Sequence, residues 1–90
     1  MLSLSGQTTD GRTVIRGVFR LYETEGLPLD VIFDSLISRN CIPDWKHLVQ
    51  EAEGAGMKLD RILSKLDPAI ADTYGPELRD AVLNRLRLKS

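Results

Sequence analysis

Glu23-Thr24-Glu25-Gly26-Leu27-Pro28-Leu29-Asp30-Val31-Ile32-Phe33-Asp34-Ser35-Leu36 is answered thirty residues later by Glu53-Gly54-Ala55-Gly56-Met57-Lys58-Leu59-Asp60-Arg61-Ile62-Leu63-Ser64-Lys65-Leu66. The shared pattern is Glu-x-x-Gly-apolar-x-Leu-Asp-x-Ile-x-x-x-Leu. Each position has a physical reason. Glycine relieves the left-handed turn that closes a helix, and the apolar residue after it covers the core at the bend. Aspartate in the first turn of the next helix meets the positive end of the helix dipole. Ile and Leu four residues apart are neighbours on one helical face. The unit predicted is a tight αα-hairpin of about thirty residues, occurring twice.

Outward from this repeat, Val14, Ile15, Val18, Phe19 and Tyr22 recur at helical spacing ahead of Gly26, and Leu29, Ile32, Phe33, Leu36 and Ile37 form the stripe behind it. Asn40 suits a left-handed helix end. Ile42-Pro43-Asp44 is expected to open a third helix with Trp45, Leu48, Val49 and Ala52 inward, and Leu59, Ile62, Leu63 and Leu66 a fourth that Pro68 interrupts. A last helix starts near Pro76 and turns Leu78, Val82 and Leu86 inward. Residues 1–11 are polar and aperiodic and are predicted to be a flexible lead-in, with residues 12–90 a single all-helical domain. The predicted fold class is all-α: four to six short helices, two tandem αα-hairpins at about 13–37 and 43–66, and a C-terminal helix.

At the level of architecture this pattern resembles the helical-hairpin repeats of α-solenoids such as the tetratricopeptide and pentatricopeptide families. The tetratricopeptide pattern of Trp, Leu-Gly, Tyr, Ala and Pro at fixed spacing is missing, so the resemblance extends to stacked hairpins and no further. What it implies is a binding surface made of helix faces, and a short stack that gains burial by dimerising.

Composition excludes several classes. The 90 residues are 42% apolar and 28% charged, with a net charge of −1, so no overall field selects nucleic acid or an anionic membrane. Cys41 is the single cysteine, which rules out an intrachain disulfide. The opening Met1-Leu2-Ser3-Leu4-Ser5 has no apolar run of signal-peptide length, and no stretch approaches the ~20 apolar residues of a membrane span. A cytoplasmic location without a membrane partner is expected.

Chemistry-bearing constellations are few. His47 and Glu51 are spaced i,i+4 but supply only two of the three or four ligands that zinc takes. Asp30 and Asp34 share that spacing, and Cys41 precedes His47 by six residues across a helix junction. Asp34-Ser35-Leu36 is similar to the tripeptide that carries phosphopantetheine in acyl carrier proteins, yet Ser35 is well past its helix start on a chain that is not strongly acidic. No phosphate-binding glycine loop or hydrolase signature is present. The expectation is therefore no enzyme, no metal, no cofactor and no catalytic residue.

The function expected is a small adaptor or regulatory module that binds another protein, or itself as a homodimer. Tyr22, Trp45 and Tyr74 are its candidate anchors, because aromatic side chains dominate interface energetics. The alternative is a nucleic-acid-binding helical domain. It would use Arg12, Arg16 and Arg20, predicted to form one stripe on the first helix, together with Arg85 and the basic C-terminal helix. Arg16, Arg20 and Arg85 are thus the candidate basic contacts.

Overall fold

A computed structural model describes the backbone of residues 3–88 and the side chains of residues 6–87. Lys89 of the basic C-terminal segment and the first two residues of the expected lead-in lie outside the described residues. The largest departure from the sequence reading is Thr13-Val14-Ile15-Arg16, which is a strand and not a first helical turn. Its three β-branched residues favour the extended backbone. Gly17, with φ of 90°, then turns the chain from strand into helix. That conformation is open to glycine and strained for most other residues.

The described residues form a mostly helical domain with one small sheet. Its strands are β1 (Ser3–Gln7), β2 (Thr13–Arg16) and β3 (Cys41–Pro43), in the order β1-β2-β3. Its helices are α1 (Val18–Glu25), α2 (Leu29–Ser38), α3 (Trp45–Gly54), α4 (Leu59–Thr73) and α5 (Pro76–Leu88). The expectation of a purely helical fold is corrected accordingly. Residues 3–7 of the predicted lead-in pair antiparallel with β2, from Ser3 opposite Arg16 to Gln7 opposite Thr13, with a bulge between Leu4 and Gly6. β2 pairs in parallel with β3, Val14 opposite Ile42, and the crossover that parallel strands require is supplied by α1 and α2.

Ile42 and Pro43 belong to β3 and do not open a helix. Pro43, which lacks an N–H, is tolerated because β3 is an edge strand. Asp44 marks the true start of α3: its side chain accepts from the His47 backbone N–H at 3.2 Å, while its own N–H donates to the Ile15 carbonyl at 2.8 Å. Pro68 lies inside an unbroken α4 and does not end it. It faces solvent, and the buried residues on either side of it, Leu66, Ala69 and Ile70, hold the helix together by packing. Ile37, predicted inward, is exposed.

Local features of the repeat are present. Gly26 and Gly56 close α1 and α3 at φ of 69° and 92°, and Asn40 takes φ of 56°. Behind α3, Gly56 N–H bonds to the Glu53 carbonyl and Met57 N–H to the Ala52 carbonyl, both at 3.0 Å, the pair of bonds that defines a Schellman ending. Leu36 and Leu66 are both buried. The predicted stack of two tandem hairpins is nevertheless replaced by a different arrangement. α4 packs chiefly across α2 and against α5, and α1 lies more on α3 than on α2, so neither predicted hairpin pairs its own two helices most extensively. One core cluster runs through all of these elements, from Ile15 in β2 to Leu86 in α5, with Phe33 fully enclosed.

Candidate functional site

Three aromatic rings meet where α2, α3 and α4 converge. Phe33 from α2 lies 5.5 Å from Trp45 and 6.0 Å from Tyr74, and Trp45 lies 5.9 Å from Tyr74, the two Trp45 contacts being edge-on. Such geometry sets ring edges against ring faces and adds to the burial energy. Tyr74 is oriented further by its hydroxyl, which donates to the Cys41 carbonyl in β3 at 2.9 Å, and by the Arg12 guanidinium, 5.7 Å above its ring. Burial pushes the Tyr74 phenol well above its ordinary value, so the hydroxyl stays neutral and remains a donor.

Trp45 carries this cluster to the surface. It lines a cleft of about 430 Å³ between the sheet and α5. Val14 of β2 with Ile42 and Pro43 of β3 make one wall, and Leu78, Ala81, Val82 and Leu86 of α5 make the other. The lining is predominantly apolar, and three charged residues, Asp44, Lys46 and Arg85, also border it. Ala81, Lys46 and Arg85 are exposed, so the cleft is open to an incoming chain.

The charges around it fall into two groups. Arg16 pairs with Asp44 at 3.2 Å, Arg12 pairs with Asp10 at 3.3 Å, and Arg79 pairs with Asp80 at 2.8 Å and with Asp67 at 3.5 Å. The Thr8 hydroxyl, hydrogen-bonded to Asp10, holds that carboxyl below its usual range, and Arg12 adds to the effect. The Arg79 guanidinium is raised by its hydrogen bond to Asp80. Among the described residues, no ion pair involves Lys46 or Arg85.

The structure divides the predicted site residues. Trp45, Tyr74 and Arg85 are brought to one region. Arg16, at the end of β2 and not on a helix, reaches the same region through Asp44. The predicted arginine stripe is therefore corrected: Arg12 precedes β2, Arg16 ends it, and Arg20 alone of the three is on α1, where it is exposed. Tyr22 lies elsewhere, packed 5.6 Å from Phe19 and 5.8 Å under the Lys65 ammonium. It borders a shallower hollow of about 460 Å³ with Pro28, Pro68 and Asp72. Ser35 is exposed in the middle of α2, with its carbonyl accepting from the Ser38 hydroxyl at 2.8 Å.

His47 and Glu51 are paired with each other. Nδ1 and Oε1 are 3.2 Å apart, both shielded from solvent and without any other partner, an arrangement that a protonated Nδ1 satisfies. Among the described residues, no group of three or more His, Cys, Asp or Glu is placed to hold a metal ion, and no helix is long and apolar enough to cross a membrane.

Sequence reasoning missed Val14, Ile42, Lys46 and Ala81 as members of the cleft. They come from three separate segments, brought together by the parallel pairing of β2 with β3 and by the packing of α5 against α4 and α3. The one signal available was the β-branched run ending at Gly17. In comparisons with known proteins the chain matches no family model, and no curated protein or solved structure is significantly similar to it.

Proposed function

We propose that the protein is a small, non-enzymatic protein-interaction module whose contact surface is the cleft between the sheet and α5. The observation that carries this reading is the cleft itself: an open, predominantly apolar trough of about 430 Å³ with the aromatic Trp45 at its edge. Apolar concavities bordered by a few polar groups are where proteins take side chains of their partners. The anchors proposed are Trp45 and the α5 wall, with Tyr74 holding Trp45 in place from behind. A location in the cytoplasm accords with the lone, partly shielded Cys41.

Nucleic-acid binding is the second reading. One observation favours it: Arg85 lines the cleft and Arg16 reaches its border through Asp44, so two of the candidate arginines lie in one region. Against it, Asp44 and Asp10 neutralise Arg16 and Arg12, and a phosphate backbone requires a contiguous row of cations.

Site-specific photo-crosslinking distinguishes these readings. A benzophenone side chain is placed at Lys46 on the cleft and, as a control, at Glu53 near the far end of α3. In the cells that make the protein, a discrete protein adduct is expected from position 46 and not from position 53. A nucleic-acid adduct at 46, or equal labelling from both positions, counts against the module.

A further inference from the structure

We infer that the partner segment received by this cleft is acidic as well as apolar, with an apolar side chain seated between Ile42 and Ala81 and carboxylates reaching Lys46 and Arg85. This inference rests on the interaction reading above and names the chemistry of the partner. Lys46 comes from the first turn of α3 and Arg85 from α5, so the two cations border the cleft from different elements. Both are exposed. Arg12, Arg16 and Arg79, by contrast, are each matched to an aspartate within the chain. Asp44 also borders the cleft, but its charge is taken up by Arg16, so among the described residues the unmatched charge at the cleft is the positive charge of Lys46 and Arg85.

Complementary potential is what steers and selects a partner at such a rim, while the apolar contact supplies most of the hold. The proposal therefore makes two separable demands on a ligand. It must present an apolar side chain small enough for the trough, and it must carry Asp or Glu close beside it. A segment with Lys or Arg at those flanking positions would meet like charges and be rejected.

The test uses a display library of random twelve-residue peptides panned against the full chain, followed by titration of synthetic peptides. Trp45 is the sole tryptophan and lines the cleft, so its fluorescence reads occupancy directly. Enriched peptides are expected to carry apolar residues flanked by Asp or Glu. Ala81→Phe, which fills the trough from an exposed helix position, is expected to weaken them at least tenfold. Lys46→Glu combined with Arg85→Glu is expected to weaken them by roughly tenfold or more and to favour basic-flanked peptides instead.

Circular dichroism melting verifies that each variant is folded, and the two rim substitutions leave the apolar walls untouched. Peptides that need the trough but show no acidic preference overturn the charge assignment and leave the interaction reading standing. Peptides indifferent to Ala81→Phe, or no enrichment at all, overturn both. A salt-sensitive micromolar response of Trp45 to duplex DNA also overturns both, in favour of the nucleic-acid reading.

Discussion

The Tyr74 hydroxyl donates to the Cys41 carbonyl at 2.9 Å, joining residues thirty-three positions apart and fastening the end of α4 to strand β3. β3 has only three residues and lies at the sheet edge, so this bond is one of few that hold it from the helical side. Tyr74→Phe keeps the ring among Phe33 and Trp45 but leaves the carbonyl without that donor. A loss of about 1–2 kcal/mol is expected in urea denaturation, the range for a buried group stripped of one partner. A change below about 0.3 kcal/mol would show that the carbonyl is satisfied by water instead.

The same residue sets an alkaline limit on stability. Burial raises the folded-state pKa of the phenol above its unfolded value of about 10. For such a group the stabilisation is complete below the unfolded pKa and is lost as pH rises toward the folded one. The contribution of Tyr74 to the unfolding midpoint should therefore be constant between about pH 7 and 9 and should fall above about pH 10. Comparing wild type with Tyr74→Phe isolates this residue from the lysines, which titrate in the same window. The alkaline slope should be shallower in the variant, and equal slopes would contradict the assignment.

Two glycines two positions apart at the end of α3 should respond in opposite directions. Gly56 holds φ of 92°, and a Cβ added there meets no atom within 4 Å, so the cost of Gly56→Ala is conformational alone, about 1–2 kcal/mol. Gly54 is the last residue of α3 and is also open around its Cβ, so Gly54→Ala should stabilise by about 0.5–1 kcal/mol. Thermal melts of the two variants suffice. If both shift the same way, the Schellman ending of α3 is misplaced.

Inside α4, Leu66 and Pro68 make a contrast of the same kind. Leu66→Ala removes a completely buried side chain and should cost about 2–5 kcal/mol, with Leu36→Ala on α2 close behind. Pro68→Ala restores an N–H to the helix interior at an exposed position, and should stabilise by on the order of 1–3 kcal/mol once the freer unfolded chain is allowed for.

These positions also mark how far the sequence was readable. Helices α2, α3 and α5 and the glycine turns at 26 and 56 were legible because amphipathic spacing and left-handed caps are local properties. The sheet was not. Val14, Ile15, Val18 and Phe19 satisfy a helical period by coincidence, since a strand ending and a helix beginning across Gly17 place apolar residues at the same spacings. β3 is too short to show alternation and contains a proline. Pro68 misled because its local penalty is offset by contacts that α4 makes with α2 and α5. Trp45, Tyr74 and Arg85 were nameable as surface-capable side chains, but their convergence depends on helix packing and on a parallel strand pairing across twenty-four residues of intervening chain.

Arg16 and Arg85 decide between the two functional readings. If the protein binds nucleic acid, both would contact phosphates, and affinity would fall with salt at a log–log slope of about −0.9 per contact on duplex DNA. Arg16, however, is held 3.2 Å from Asp44, and freeing it to reach a phosphate exposes that carboxylate beside the same phosphate. The pair itself is half-exposed and worth less than about 1 kcal/mol, so what opposes binding is the repulsion from Asp44. Titration of mixed-sequence duplex and single strands at about 50 mM salt should accordingly be flat through the range typical of non-specific contacts, roughly 10⁻⁴ to 10⁻⁶ M. Asp44→Asn provides the sharper form of the test. It removes the negative charge while keeping a side chain able to cap α3, so any latent phosphate site should emerge in this variant. Salt-sensitive binding by the wild type, abolished by Arg16→Glu or Arg85→Glu, would replace the protein-interaction reading. Binding that appears only with Asp44→Asn would mean that the aspartate excludes nucleic acid from the cleft, as that reading requires.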